Sequence, residues 1–125
     1  MTKDDIKPST WDNMKKQARQ VLINKAKNRG LITYGELAAN LTDITFSFED
    51  PSHRDLIGEL LGEIGSEEAD QGHGILSALV VHREGDMEPG KGFFGLAESQ
   101  GYKTRDKTAC WVQAVKDVHK YWDSP

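Results

Sequence analysis

Apolar residues along this chain fall into helical stripes at both ends and in the middle, with one unbroken apolar run between them. Trp11, Met14, Ala18, Val21, Leu22 and Ala26 follow the helical period, with Lys15, Lys16, Arg19, Lys25 and Lys27 on the other positions. This predicts an amphipathic helix over about residues 10–29. Ser9 or Thr10 is expected to cap it, and Arg29 with Gly30 to close it through a cationic last turn and a C′ glycine. Residues 1–8 read as a flexible arm. After a short extended Leu31–Ile32, Thr33 and Glu36 form a T-x-x-E capping box, predicting a short helix over 34–41.

Ile44, Phe46 and Phe48 alternate with Thr45 and Ser47, the pattern of a strand or an ordered loop. Ser52, with Asp55 three residues on, is expected to cap the next helix. Its inward face is Leu56, Ile57, Leu60, Leu61 and Ile64, and Gly65 reads as its end. Residues 66–74 then form a polar loop. The run Ile75 to His82, "ILSALVVH", is the strongest strand signal. "REGD" is expected to turn it into a small hairpin, which Pro89 keeps from pairing at length. A helix from Phe93 to Gln100, closed by Gly101, follows, and a last helix over 108–122 carries a stripe of Trp111, Val115, Val118 and Trp122. These elements predict an α+β fold: one helix-rich domain over 1–125 with a small β-hairpin, flanked by N- and C-terminal helices.

Composition narrows the function classes. With 125 residues the chain fits a single domain able to bury one core. No apolar run is long enough to span a membrane, and the N-terminus has no secretory h-region. The single cysteine, Cys110, excludes an internal disulfide and a thiolate cluster. The expected location is the cytoplasm. Charge is uneven. Residues 1–30 hold eight basic and three acidic side chains, 31–100 three and fourteen, and 101–125 five and three, for a net charge of −4. A basic first helix thus accompanies an acidic middle. The two either neutralise each other within the fold or present surfaces to partners of opposite sign.

Candidate chemistry is sparse. Gly85, Gly90 and Lys91 fall on the G-x-x-x-x-G-K spacing of a phosphate loop. The residue after Lys91 is Gly92, not a metal-ligating hydroxyl. Glu84, Asp86 and Glu88 put three negative charges where a polyphosphate would sit. The glycines are better read as turn positions, so nucleotide catalysis is not expected. His53, His73, His82 and His119 show no metal-ligand spacing. His82 with Asp86 and Glu88 is the only grouping of interest, and no metal or other cofactor is expected. Cys110 and His119, nine residues apart, lie more than two helical turns from one another and do not form a catalytic pair.

Residues 32–97 resemble the winged-helix domain of the alkylguanine DNA alkyltransferases and alkyltransferase-like proteins. "ITYGELA", "SHRDLIGELLGEI" and "ILSALVVHREGDMEPGKGFFGLA" match that family's tyrosine-led short helix, its arginine-led next helix, and its strand, active-site turn and wing. The resemblance implies a winged-helix-like centre. It makes Tyr34 the phosphate-contacting tyrosine and Arg54 the arginine that fills the gap left by a flipped base. The family's Pro-Cys-His-Arg corresponds to "LSAL", with Ser77 in place of the reactive cysteine and Ala78 in place of the histidine. A serine without a base is not a nucleophile at neutral pH, so alkyl transfer is not expected. The strand, the "PGKGFF" segment and the final "W…V…YW" helix also resemble a pattern of small bacterial proteins, which implies no function.

The expected function is therefore a non-enzymatic binding module. In the leading reading it is a protein-binding adaptor or immunity-like inhibitor, with Glu59, Glu63, Glu67 and Glu68 covering a basic partner. In the alternative it is a nucleic-acid-binding accessory protein using Lys15, Lys16, Arg19, Tyr34, Arg54, Arg83 and Lys91. The acidic character of the helix bearing Arg54, with Asp55, Glu59 and Glu63, opposes phosphate contact there.

Overall fold

The computed structural model describes residues 2–47, 49–82 and 91–123, with Lys91 described in its backbone alone. It contains helices α1 (Pro8–Lys27), α2 (Tyr34–Ala39), α3 (Pro51–Asp70), α4 (Lys91–Ser99) and α5 (Lys107–Trp122). Strands β1 (Ile32–Thr33) and β2 (Val80–Val81) pair in parallel, Ile32 opposite Val80 and Thr33 opposite Val81. The helix-rich α+β class is as expected. The hairpin assigned to residues 83–90 lies outside the described residues.

The centre of the molecule is the run Ile75–Val81, in which every residue is buried. It was expected as a strand, yet Leu76–Leu79 is a 3-10 turn and only Val80–Val81 is extended. An unbroken apolar run carries no period with which to choose between the two. The choice falls to hydrogen bonding. α1, α3 and α5 all pack against this turn, so its backbone has no neighbouring strand to bond. It satisfies itself instead: the Ala78 N–H donates to Ile75 at 2.9 Å and the Val80 N–H donates to Ser77. The Ala78 carbonyl accepts the indole N–H of Trp111 at 2.9 Å, a partner that a neighbouring strand would otherwise supply.

The helix boundaries follow capping chemistry, with some differences from expectation. α1 starts at Pro8, which needs no N–H donor in the first turn. Neither Ser9 nor Thr10 caps it; both lie inside the helix. Its end is a Schellman turn in which Gly30 N–H reaches Lys25 O at 2.8 Å and Arg29 N–H reaches Ala26 O at 3.1 Å. The left-handed residue is Arg29, φ 54°, and not Gly30. α2 has the capping box expected of Thr33 and Glu36. α3 is capped by Asp50 rather than Ser52, Asp50 accepting the Ser52 N–H at 2.9 Å. It runs through Gly65 to Asp70, so the first residues of the expected polar loop are helical. Gly72, φ 78°, closes α3 instead, and Gly101, φ 91°, closes α4 as expected.

The alternating segment before α3 is a loop; Ile44 and Phe46 pack on the core while Thr45 and Ser47 are exposed, and Phe48 lies outside the described residues. The buried stripe of α5 is Cys110, Ala114 and Val118; the expected Trp111, Val115 and Trp122 are half-buried on its flank. In the expected arm, Lys3–Asp5 form a 3-10 turn, and Lys3 reaches back to α3.

Candidate interaction surfaces

Two surfaces involve the charged and aromatic side chains singled out in the sequence. The first is an ionic strip between α1 and α3. Glu63, Glu67 and Glu68 recur at helical spacing along the α3 face that meets α1, and Lys15 and Arg19 recur likewise on α1. Lys15 Nζ lies 3.1 Å from Glu63 and 2.6 Å from Glu67. Arg19 lies 2.6 Å from Glu67 and 3.0 Å from Glu68. Lys3 adds a contact of 2.9 Å to Glu63, whose other oxygen accepts the Trp11 indole N–H. The far side of Glu68, which is only 6% exposed, lies 2.6 Å from His73 Nδ1.

Titration reflects this pairing. The hydrogen bond to Glu67 leads the causes that raise Lys15 above its usual value. The same bond, outweighing burial, holds Glu67 below the usual carboxylate value. Burial is the largest influence on Glu63 and opposes its charge. The bonds from Lys3, Trp11 and Lys15 together outweigh it and lower the group as well. Lys15, Arg19, Glu63, Glu67 and Glu68, drawn from two opposing binding readings, are thus each other's partners. Lys16, on the exposed side of α1, has no ion pair among the described residues.

The second surface surrounds the start of α3. Tyr34 opens α2 and stacks on His82, centroids 4.6 Å apart. Arg54 is exposed in the first turn of α3. Asp43, Glu49, Asp50, Asp55 and Glu59 are exposed too, and among the described residues none forms a salt bridge with a lysine or arginine, although the charge of Glu59 contributes to raising Lys3. Asp43 accepts the Asn13 amide at 2.7 Å, and Asp50 lies 3.8 Å from His53. Of the acidic middle of the sequence, Glu63, Glu67 and Glu68 are thus neutralised by α1, while these five face outward.

Beside these acids a cleft of about 80 Å³ opens between α3 and α4. Tyr34, Leu61, Phe93 and Leu96 supply its apolar wall, and Ser77 of the central turn its polar group; Gly58, Gly62 and Gly92 complete the lining. Tyr34 and Ser77, paired in the sequence only through a family resemblance, thus line one cleft. Arg54 is not among the lining residues. Arg83, Gly85, Asp86, Glu88 and Gly90 lie outside the described residues, as does the side chain of Lys91, the first residue of α4.

Ser77 has no base as a hydrogen-bond partner among the described residues, and no group of three or more metal-ligating side chains is found among them. Cys110 is buried, and burial raises its thiol, making it a poorer nucleophile. The glycines of α3 are the feature that sequence reasoning missed. Their signal is the spacing of Gly58 and Gly62, four residues apart on one helix face. No helix among the described residues is long and apolar enough to cross a membrane. Comparisons with protein-family models, with curated proteins and with solved structures give no match to this chain.

Proposed function

We propose that the protein is a non-catalytic binding module, an adaptor or inhibitor, that meets a basic protein partner through the outward acidic surface at the start of α3. One observation carries this reading. Glu49, Asp50, Asp55 and Glu59 fall within eleven residues at and around the start of α3, all exposed, and none of them or of the exposed Asp43 forms a salt bridge with a lysine or arginine among the described residues. Glu63, Glu67 and Glu68 are already neutralised by α1 and are not part of that surface. Unpaired like charges steer an oppositely charged partner and speed its approach, while contributing less to final affinity.

A second reading, nucleic-acid binding, draws on the neighbourhood of Tyr34 and the cleft with the exposed Arg54. The adjoining carboxylates oppose it, because they repel phosphate where Arg54 would attract it. Capture experiments with wild type and an Asp55→Lys/Glu59→Lys variant separate the two. The expected result is a basic protein retained by wild type after nuclease treatment and lost by the variant. Retention that nuclease abolishes, or duplex DNA binding lost on Arg54→Ala, overturns the protein reading.

A further inference from the structure

α3 contains two glycines that its own packing does not require. Among the described residues, a Cβ added at Gly58 or Gly62 meets no atom within 4 Å, and neither residue has a positive φ. Each costs the helix about 1 kcal/mol relative to alanine. Gly65, one turn further on, is different: a Cβ there would stand 2.6 Å from Ser77 Oγ and 2.9 Å from Leu96. Gly65 is explained by its contacts with Ser77 and Leu96, whereas no described residue fills the space over Gly58 and Gly62. Both line the cleft, as does Gly92, which is likewise open.

The cleft also holds an unpaired polar group. Ser77 is 8% exposed, lines the cleft, and its hydroxyl makes no hydrogen bond among the described residues. The hydroxyl opens onto the cleft, where an incoming polar group can bond it. The remaining wall is apolar and aromatic. Its size suits roughly five to eight water molecules, taking ~10–15 Å³ for each, which is the scale of one aromatic side chain. On the surface of α3, Asp55, Gly58, Glu59 and Gly62 are neighbours at three- and four-residue spacings. By that spacing two carboxylates stand beside the glycines, together with one cation, Arg54, four residues before Gly58.

We propose that this cleft is an anchor pocket for a single tyrosine of a basic segment in a protein partner. The inference rests on the binding-module reading above and names the anchor. The tyrosine ring lies against Tyr34, Leu61 and Phe93, and its hydroxyl bonds Ser77 Oγ. Cations flanking it in the partner meet Asp55 and Glu59. The bare backbone at Gly58 and Gly62 lets the partner's main chain come close to α3. Aromatic side chains with a polar tip are well suited to this use, being large, stiff and able to bond at the tip.

The test is a titration of isotopically labelled protein, followed by the amide resonances of Gly58, Gly62, Ser77 and Gly92. The probe is a synthetic pentapeptide with a central tyrosine and two basic residues on each side. Shifts at those amides are expected, with affinity falling more than about tenfold when alanine replaces the tyrosine, as for truncation of an interface anchor. Gly62→Leu fills the cleft and should remove that difference, and Gly62→Ala, a smaller change, should reduce it. Equal binding of the tyrosine and alanine peptides, sensitive to Asp55→Lys/Glu59→Lys, overturns the pocket and leaves the acidic surface standing. No shifts at about 1 mM peptide overturns the proposal. So does a duplex oligonucleotide that moves the same amides more strongly than the peptide, and this last result overturns the protein reading with it.

Discussion

Glycine at positions 58, 62 and 65 shows how one residue type serves different ends within two turns of helix. Gly65→Ala forces a Cβ to within 2.6 Å of Ser77 Oγ. Overpacking of a buried site costs ~1–3 kcal/mol, more than the ~1 kcal/mol recovered from helix propensity. Gly58→Ala meets no such contact among the described residues and recovers the propensity alone. Urea unfolding should therefore show Gly65→Ala less stable than wild type and Gly58→Ala more stable by about 0.5–1 kcal/mol. Equal effects of the two would contradict the assignment of space. From sequence, Gly65 reads as a helix stop because a glycine after an apolar stripe has that meaning most often. Its true use, close approach of the Ser77 hydroxyl, depends on a contact with a residue twelve positions away that no local pattern encodes. Arg29 is the reverse case. The left-handed position falls on arginine although a glycine follows it, and the arginine there reaches Asp123 at 2.5 Å. That pair is well exposed and contributes little, so the turn is held by its backbone bonds.

At the scale of elements, the periodic stripes of α1 and α3 and the capping box of α2 were legible because each is set by residues close in sequence. The central run was not, because its conformation is decided by what surrounds it: helices supply no ladder, and a 3-10 turn satisfies its own amides. Between α1 and α3, the complementary charges were visible but their pairing was not. That strip has a pH signature. Glu63 and Glu67 are held below the ordinary 4.5 in the fold, so the folded state is favoured above that value and loses the advantage as pH falls through the lowered one. Asp5 and Asp50, lowered chiefly by bonds from Thr2 and Ser52, add to the same slope below about 3.8. Lys15 acts at the other end. It is raised above 10.5, so its contribution is complete below that pH and lost as pH rises further. Denaturation followed across pH should show stability falling below about pH 4.5, with a shallower fall for Glu67→Gln. An unchanged acid slope in that variant would show that the strip does not contribute.

For the whole molecule, the internal use of α1's cations changes what the net charge means. Averaged over the chain, −4 says little. Resolved by place, one set of carboxylates is screened by Lys3, Lys15 and Arg19, and another faces out, with Asp55 and Glu59 each one turn or less from a cleft glycine, Gly58 or Gly62. The two parts of the proposed interface then act on different steps of binding. Exposed rim charges govern how fast partners meet, and buried anchors govern how long they stay. Once a basic partner is in hand, Asp55→Lys/Glu59→Lys should slow association and weaken its dependence on salt, with a smaller change in dissociation. Gly62→Leu should leave association and its salt dependence near wild type and speed dissociation. Lys15→Met disturbs the inner strip alone and should affect stability more than either rate. Surface plasmon resonance at low and physiological salt reads all three variants. If Lys15→Met slows association as much as the outer reversal does, the strip is itself part of the interface and the division of the acidic middle into inner and outer groups fails. If the outer reversal leaves association unchanged, the carboxylates around α3 do not steer the partner.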